Sequence, residues 1–224
     1  PFMFQSAAEL DAVTAKTDLL DQINAPLIEN GLRVAAFTQR GLDAGIFNSK
    51  KPVATLNDLA DLRMRALNKG QVAFFQVLGV QSTVVAWGEV ANALQTGIVD
   101  GYVNPPNSAL RTGHTQYLKH YTPAALAPSV RAVVVSEDWW SGLSDADRAT
   151  IQSAIDAGTA ANRAWVQDWS GKVQTLFDEA GVTVTKLALG EREKMLALSE
   201  VVHKKVMSES DLAAYAAALA QVRN

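Results

Sequence analysis

The stretch from Trp87 to Pro106, WGEVANALQTGIVDGYVNPP, does most to decide the fold of this chain. Residues 89–95 are helix formers with apolar side chains at helical spacing, which predicts a short helix. Gly97 is expected to end it, because glycine adopts the left-handed conformation just past a helix without steric cost. Residues 98–99 are then predicted to begin a strand that leads to Asn104. The tryptophan before the helix and the asparagine after the strand can therefore converge on one cleft.

The same stretch resembles the signature of the extracytoplasmic solute-binding subunits of TRAP transporters, the DctP type. The matching residues are Glu89, Val90, Ala93, Leu94, Gln95, Thr96, Gly97, Val99, Asp100, Gly101, Asn104 and Pro105. Two positions depart from the pattern, since Ala91 stands where tyrosine is usual and Val103 where glutamate is common. The resemblance implies an α/β, two-lobed periplasmic-binding-protein-like fold with a long interlobe helix.

The first residues of the chain also resemble an internal segment of that family. Pro1-Phe2-Met3-Phe4 is similar to a P-F-L-F segment that follows the first strands of the first lobe. The resemblance therefore implies that the family's usual N-terminal part is incomplete here.

The composition narrows the possible function classes. Charged residues make up 19% of the chain and the net charge is −3, so the scattered Lys and Arg do not predict a nucleic-acid surface. With no cysteine, thiol catalysis, disulfides and cysteine metal sites are all excluded. No apolar run approaches the roughly 20 residues needed to span a bilayer.

The remaining periodicity predicts helices that alternate with strands. Helices are predicted over 8–30, 71–78, 113–121 and 145–179, with two more within 191–223; strands over 32–37, 63–67, 130–136 and 182–187; and a loop or hinge over 38–51. The strand at 130–136 is rich in β-branched residues and is predicted to be buried. Such alternation favours an α/β architecture.

The resemblance also implies how the chain divides into lobes. Residues 1–41 and 130–170 are expected to form a partial lobe I. Residues 42–129 and 171–224 are expected to form lobe II. The long helix is expected to bridge the two.

Arg65 is the first candidate for a ligand contact. Alternation on its strand places Arg63 and Arg65 on one face and Met64 on the other. From the residues alone, a solvated charge at a strand end is the commoner role. The family places an arginine here at the floor of the cleft, and a guanidinium matches a carboxylate with two parallel hydrogen bonds. The resemblance therefore favours a ligand role for Arg65.

Asn104 and Trp87 are the next candidates. The Asn104 amide can both donate and accept, although an asparagine before prolines is also typical of a turn. Trp87 can cover the carbon skeleton of a ligand or pack in the core. Gln39 and Arg40, which follow the first strand, have weaker support as cleft residues.

The family resemblance also gives an expectation for the ligand's polarity. Some members carry a second arginine about twenty positions before the one matched by Arg65, whereas residues 41–47 contain none here. A ligand that needs two cationic contacts is therefore disfavoured. Phe47 or Ile46 is expected to offer an apolar surface instead, which favours a more hydrophobic acid.

Together these features imply a transport function. No catalytic constellation is visible, and His114, His120 and His203 share no metal spacing, so neither an enzyme nor a cofactor is expected. The resemblance implies a periplasmic, monomeric subunit that captures a small organic acid and delivers it to membrane-embedded TRAP subunits. A ligand-sensing domain and, less favoured, an α/β enzyme acting on a carboxylate stay open as alternatives.

Overall fold

A computed structural model describes residues 2–223, and its helices and strands form a mixed α/β protein with two sheets. The helices are α1 (Ala7–Lys16), α2 (Leu19–Ile28), α3 (Lys69–Val77), α4 (Val90–Gln95), α5 (Pro106–Arg111), α6 (Glu137–Ser141), α7 (Asp145–Ser170), α8 (Val173–Glu179), α9 (Glu191–Val206) and α10 (Glu209–Arg223). The strands are β1 (Leu32–Gln39), β2 (Gly45–Asn48), β3 (Arg63–Ala66), β4 (Gln81–Val84), β5 (Gly101–Asn104), β6 (His120–Thr122), β7 (Val130–Ser136) and β8 (Thr183–Val184). Short 3₁₀ turns span Leu56–Leu59, Trp87–Glu89 and His114–Gln116.

The smaller sheet consists of the antiparallel strands β1 and β7. Their register shifts between Val34 and Ala36, where β1 is irregular. The buried Asn24 side chain of α2 bonds both backbone groups of Val34, at 2.8 and 3.0 Å. These two bonds hold α2 against the irregular part of β1, because a buried backbone group needs a partner.

The larger sheet has the strand order β4-β3-β5-β2-β6-β8. Strand β5 pairs parallel with β3 and antiparallel with β2, so it lies inside the sheet. Its partner β2 falls within residues 38–51, which the sequence predicted as a loop or hinge. That prediction was wrong for residues 45–48, because four residues beside a glycine-rich turn give too short a pattern to show a buried central strand.

Two local predictions differ from the structure because tertiary pairing overrides them. Residues 113–121 were predicted as a helix, but they form a 3₁₀ turn followed by β6, whose backbone bonds to β2 and β8. The strand predicted to begin at Ile98 begins at Gly101 instead. The Val99 N–H bonds to the Ala93 carbonyl of α4, so residue 99 still belongs to the turn after the helix.

The other predicted helices are confirmed, with two additional breaks. The 8–30 segment divides at Thr17, whose hydroxyl donates to the Val13 carbonyl at 2.7 Å and accepts from the Leu19 N–H at 3.2 Å. Pro26 lies inside α2 without ending it. The 145–179 segment divides at Gly171 into α7 and α8, and the last segment forms α9 and α10 as predicted.

Strand β7 is confirmed as a strand but is not buried. Its residues are half-buried or exposed, and Val134 is 50% exposed. Helices α2 and α7 pack on β1, whereas β7 makes most of its contacts with β1 itself. The β-branched composition therefore predicted the strand correctly and its burial wrongly.

Two short chain segments run side by side between the sheets, at residues 40–44 and 126–129. The Arg40 N–H donates to the Ser129 carbonyl at 2.7 Å, and Ala44 and Ala127 are bonded at 2.9 Å. Helix α7 runs beside this connection, because Asn162 bonds both backbone groups of Gln39 at 2.7 and 2.9 Å. Near its C-terminus Trp169 packs against the core of the larger sheet. Helix α7 therefore touches both halves.

The lobe boundaries remain a prediction. Helix α10 packs on α1 and α2, next to the smaller sheet. These contacts favour grouping residues 209–223 with lobe I, although the sequence assigned them to lobe II.

Candidate functional site

Arg65 lies in β3 and is almost completely buried, with 2% of its surface exposed. Its Nε donates to the Val85 carbonyl at 2.9 Å, and its Cζ lies 5.6 Å from the centroid of the Trp87 ring. Its Nη2 is buried and has no hydrogen-bond partner within residues 2–223. Burial lowers the pKa of Arg65, but an arginine stays charged at neutral pH. The site therefore holds a buried cation whose Nη2 group has no acceptor among the described residues.

Asn104 ends β5 and is 5% exposed. Its Oδ1 accepts a hydrogen bond from Arg40 Nη2 at 3.0 Å, and Arg40 Nε donates to Ser129 Oγ at 3.2 Å. Its Nδ2 is buried without a partner in the described part of the chain. Pro105 and Pro106 follow at once and start α5, so the strand ends with the asparagine amide as the last polar group.

An aromatic cluster borders these two residues. The Trp87 ring centroid lies 5.2 Å from that of His114 and 6.0 Å from that of Tyr102. The Tyr102 hydroxyl lies 3.3 Å from His114 Nδ1. Burial raises the pKa of Tyr102 and lowers the pKa of His114, so both groups are neutral at pH 7. Trp87 is 41% exposed and can contact solvent or a ligand.

A cleft of about 320 Å³ lies beside this cluster. It is lined by Arg40, Trp87, Asn107, Ser108, Arg111, Thr112 and Arg131. Arg131 belongs to β7 of the smaller sheet, whereas Arg111 ends α5 beside the larger one. The cleft therefore lies between the two halves of the protein, and Trp87 and Arg40 connect it to Arg65 and Asn104.

Phe47 does not line this cleft, and the sequence interpretation is corrected here. Its side chain is 0% exposed, and Ile46 is 1% exposed. The Phe47 ring packs against the rings of Tyr102, Tyr121 and Phe177, at centroid distances of 5.5, 4.4 and 5.8 Å. Strand β2 lies inside the larger sheet, and these three rings cover the Phe47 side chain. Phe47 is therefore a core residue.

The cleft contains more arginines than the sequence led us to expect. Residues 41–47 contain no arginine, but Arg40 reaches Asn104 from the adjacent position. Arg111 and Arg131, which line the cleft, were not found from the sequence. In the sequence, Arg131 stands out only as a charged residue within an apolar strand. Arg111 stands out only as a cation that follows Asn104-Pro105-Pro106.

Arg63 has a structural role, although it shares a strand face with Arg65. Its Nε and Nη2 donate to the Asp100 carboxylate at 3.0 and 2.8 Å, and its backbone N–H donates to the same carboxylate at 2.9 Å. Burial acts to raise the pKa of Asp100, but these hydrogen bonds outweigh it and hold the pKa below its usual range. The aspartate of the signature therefore fixes β3 to the start of β5.

The other aromatic and polar candidates lie outside the cleft lining. Trp139 packs against Trp140 in α6, and Trp165 packs against Trp169 in α7. Gln39 is bound by Asn162. Among residues 2–223 there is no group of three or more His, Cys, Asp or Glu side chains that could hold a metal ion. Between Phe2 and Arg223 no helix combines the length and apolarity needed to cross a membrane.

Comparison with known protein families identifies the family of this chain. Residues 1–210 match the model of the DctP family, described as bacterial extracellular solute-binding protein, family 7. The chain belongs to this family. Family 7 proteins are extracytoplasmic solute-binding proteins of transport systems, and the resemblance drawn from the Trp87–Pro106 stretch is confirmed.

Individual relatives within family 7 are similar over most of this chain. The chain is 29% identical to the C4-dicarboxylate-binding periplasmic protein DctP of Rhodobacter capsulatus, over 82% of its own length and 54% of the relative's. It is 29% identical to the 2,3-diketo-L-gulonate-binding periplasmic protein YiaO of Escherichia coli, over 82% and 56%. A Sulfitobacter solute-binding protein is 26% identical over 93% and 63%. The chain thus spans only a little over half the length of these relatives.

Solved structures show the same two-lobed fold. A TRAP periplasmic solute-binding protein from Ochrobactrum anthropi superposes with a TM-score of 0.85 and 25% identity, over 100% of this chain and 70% of that one. One from a Polaromonas species bound to D-erythronate gives 0.82 and 27%, over 98% and 72%. One from a Bradyrhizobium species in complex with D-galacturonate gives 0.85 and 25%, over 98% and 72%. The α/β, two-lobed fold predicted from the sequence is therefore confirmed.

Proposed function

We propose that this protein is the solute-binding subunit of a TRAP-type transporter. It captures a small organic acid in the cleft between its two lobes, in the periplasm. It then delivers the acid to the membrane-embedded subunits of the transporter.

The observation that carries this proposal is a pair of buried donors without partners. Arg65 and Asn104 contact the cleft residues Trp87 and Arg40, and neither Arg65 Nη2 nor Asn104 Nδ2 bonds to any described residue. A buried donor left unpaired costs about 1–3 kcal/mol, so a ligand group that accepts from both donors binds favourably there. A carboxylate has two oxygens that accept hydrogen bonds, and one of them can meet the charged guanidinium.

The surroundings of the two donors favour an acid over a neutral solute. The cleft lining contains three arginines and no carboxylate. Trp87 covers Arg65 and remains partly exposed, so it can contact the carbon skeleton of the solute. The arginines therefore compensate the negative charge of a bound acid, and Trp87 contacts its carbon skeleton.

The connection between the sheets supports a closing movement. The segments at 40–44 and 126–129, together with α7, join the two halves next to the cleft. We propose that residues 2–41 and 130–170 move as one lobe, with α10 packed on it, and that the larger sheet moves as the other. Hinge closure around a ligand is a known way for such folds to trap a solute.

The relatives support the chemical class of ligand. Proteins of this fold are described as binding a C4-dicarboxylate, 2,3-diketo-L-gulonate, D-galacturonate and D-erythronate. Each of these solutes carries a carboxylate. For this chain we propose the shared chemistry, a small organic acid.

Titration calorimetry with D-galacturonate, D-erythronate and succinate, and with neutral sugars and amines for comparison, tests the proposal. We expect at least one acid to bind, and Arg65→Ala to weaken its binding at least about tenfold, since a hydrogen bond to a charged group contributes about 1.5–3 kcal/mol. Arg192→Ala is the matched control, because Arg192 lies over the ring of Phe2 and does not line the cleft. Equal affinity in Arg65→Ala, or binding of neutral sugars or amines alone, contradicts the proposal.

A further inference from the structure

Asn107 lines the cleft from the first turn of α5, and only 3% of its surface is exposed. Its Nδ2 donates to the backbone carbonyl of Arg40 at 2.6 Å. Since a carbonyl can only accept, this bond determines that Oδ1 faces the other way, where it is buried and has no partner among the described residues. The side chain therefore reaches out of its own helix to the segment that runs between the sheets.

Gly41 makes room for the Asn107 amide. Gly41 is buried, and a Cβ at this position would overlap Oδ1 of Asn107. Its backbone lies outside the left-handed region, so its own conformation does not require glycine. The close approach of a side chain from another element does require it. A larger residue at position 41 would displace the Asn107 amide from the Arg40 carbonyl.

Arg40 is held at both its backbone and its side chain. Its backbone N–H and its Nε donate to Ser129, at 2.7 and 3.2 Å. Its carbonyl accepts from Asn107, and its Nη2 donates to Asn104 Oδ1 at 3.0 Å. Two of these four bonds fix Arg40 to β5 and to the helix that follows it. An arginine side chain has several rotatable bonds, so a fixed backbone narrows the positions that its guanidinium reaches.

The position of this guanidinium decides which end of the Asn104 amide is left for a ligand. While Arg40 donates to Oδ1, the unpartnered Nδ2 is the group that an acid can meet. Without that donor the amide can turn over, because its two ends have nearly the same shape. Oδ1 then faces the acid, and two acceptors repel each other. The bond from Asn107 therefore acts on the ligand site through Arg40.

We infer that Asn107 is a positioning residue of the acid site, and that Gly41 keeps the space its amide occupies. Asn107 fixes the backbone of Arg40, and Arg40 in turn orients the Asn104 amide. This inference rests on the proposed function. It adds to that function a residue that acts through another side chain and not on the acid directly.

The first test is a double-mutant cycle of Asn107→Ala and Arg40→Ala. Calorimetry uses whichever of D-galacturonate, D-erythronate and succinate binds the unaltered protein. We expect Asn107→Ala alone to weaken binding about tenfold, since a hydrogen bond to a charged group is lost. In Arg40→Ala the backbone carbonyl remains but the guanidinium is absent, so adding Asn107→Ala should change the affinity by about twofold or less. An equal loss in both backgrounds shows that Asn107 acts without Arg40 and overturns the inference.

Gly41→Ala gives a second test that does not depend on measurable binding by Arg40→Ala. The added methyl group displaces the Asn107 amide while the side chains of Arg40 and Asn104 are retained, so acid binding should weaken about tenfold. In Gly41→Ala combined with Asn107→Ala the methyl group has room, and the affinity should equal that of Asn107→Ala alone. Unchanged affinity in Gly41→Ala, or losses that add in the double variant, contradicts the inference.

Asn92→Ala is the matched control, because Asn92 is an exposed asparagine of α4 that does not line the cleft. It should bind the acid as tightly as the unaltered protein does. Urea denaturation verifies that each variant is folded under the conditions of the titration. If Asn107→Ala also binds as tightly as the unaltered protein, this inference is wrong and the proposed function stands. If none of the three acids binds the unaltered protein, the proposed function and this inference fail together.

Discussion

Arg40 Nη2 donates a hydrogen bond to Asn104 Oδ1 at 3.0 Å. Because a guanidinium can only donate, this bond determines that the oxygen of the Asn104 amide faces Arg40. The Nδ2 group is then directed away from Arg40, where it has no partner among the described residues. Arg40 follows the last strand residue of the smaller sheet and Asn104 ends a strand of the larger one. One hydrogen bond therefore joins the two halves and orients a donor for the ligand.

The orientation of Asn104 predicts the effect of Asn104→Asp. The substitution keeps an acceptor for Arg40 but replaces the free donor with a negative charge. Acid binding should weaken at least about tenfold, since one hydrogen bond to a charged group is lost and repulsion is added. Calorimetry measures the affinity, and thermal denaturation monitors the fold. An unchanged affinity shows that Nδ2 does not contact the ligand.

Trp87 predicts a spectroscopic signal for binding. Its ring lies over Arg65 and is partly exposed at the cleft, whereas the other four tryptophans do not line the cleft. Addition of a bound acid should therefore change the tryptophan fluorescence of the unaltered protein. Trp87→Phe should abolish most of this change, and Trp139→Phe should retain it. If the signal survives in Trp87→Phe, it comes from another part of the protein.

The close packing around Gly101 predicts that adding one methyl group there strongly destabilises the protein. A Cβ at this position would overlap the carbonyl oxygen of Phe47 on the neighbouring strand β2. Gly101→Ala should therefore lower the free energy of unfolding by about 1–3 kcal/mol or more, because the two backbones must separate. The midpoint of urea denaturation measures this.

Gly158→Ala is the matched control for that substitution. Gly158 lies inside α7, and a Cβ there meets no atom within 4 Å. Alanine should raise the free energy of unfolding by about 0.5–1 kcal/mol, because glycine loses more backbone entropy in a helix. Equal effects of the two substitutions would show that the close approach of β5 and β2 does not limit position 101.

His114 predicts a loss of stability at mildly acidic pH. Burial lowers its pKa in the folded protein below the usual value of 6.5, so the unfolded chain binds the proton more readily. As the pH falls from 6.5 towards the lower folded pKa, the free energy of unfolding should decrease. His120 contributes in the same direction, because burial lowers its pKa as well.

Urea denaturation at pH 7.5 and at pH 5.5 measures how the free energy of unfolding depends on pH. His114→Gln should show a smaller decrease than the unaltered protein, because it removes one of the two histidines with a lowered pKa. The lowered pKa values of carboxylates such as Asp100 act at more acidic pH, below their usual range. An identical decrease in both proteins rules out His114 as a contributor.

Much of the candidate site could be predicted from the Trp87–Pro106 stretch and from the strand at residues 63–67. Arg65, Asn104 and Trp87 lie together in the structure, because the strand pattern and the helix–glycine–strand order are local features. Arg111 and Arg131 could not be predicted in the same way. Arg131 lines the cleft only because β7 pairs with β1 and therefore lies opposite α5. The order of residues along the sequence does not show which strands pair.

The sequence by itself determined the family, most of the helices and strands, and the candidate residues Arg65 in β3 and Asn104 at the end of β5. Only the tertiary structure decided that residues 45–48 form a central strand, that Phe47 belongs to the core, and that Arg40 completes the Asn104 contact. Periodicity and turn residues act over a few neighbouring positions. Which side chains are buried, and which charged groups lie close together, depend instead on pairing between strands that lie far apart in the chain.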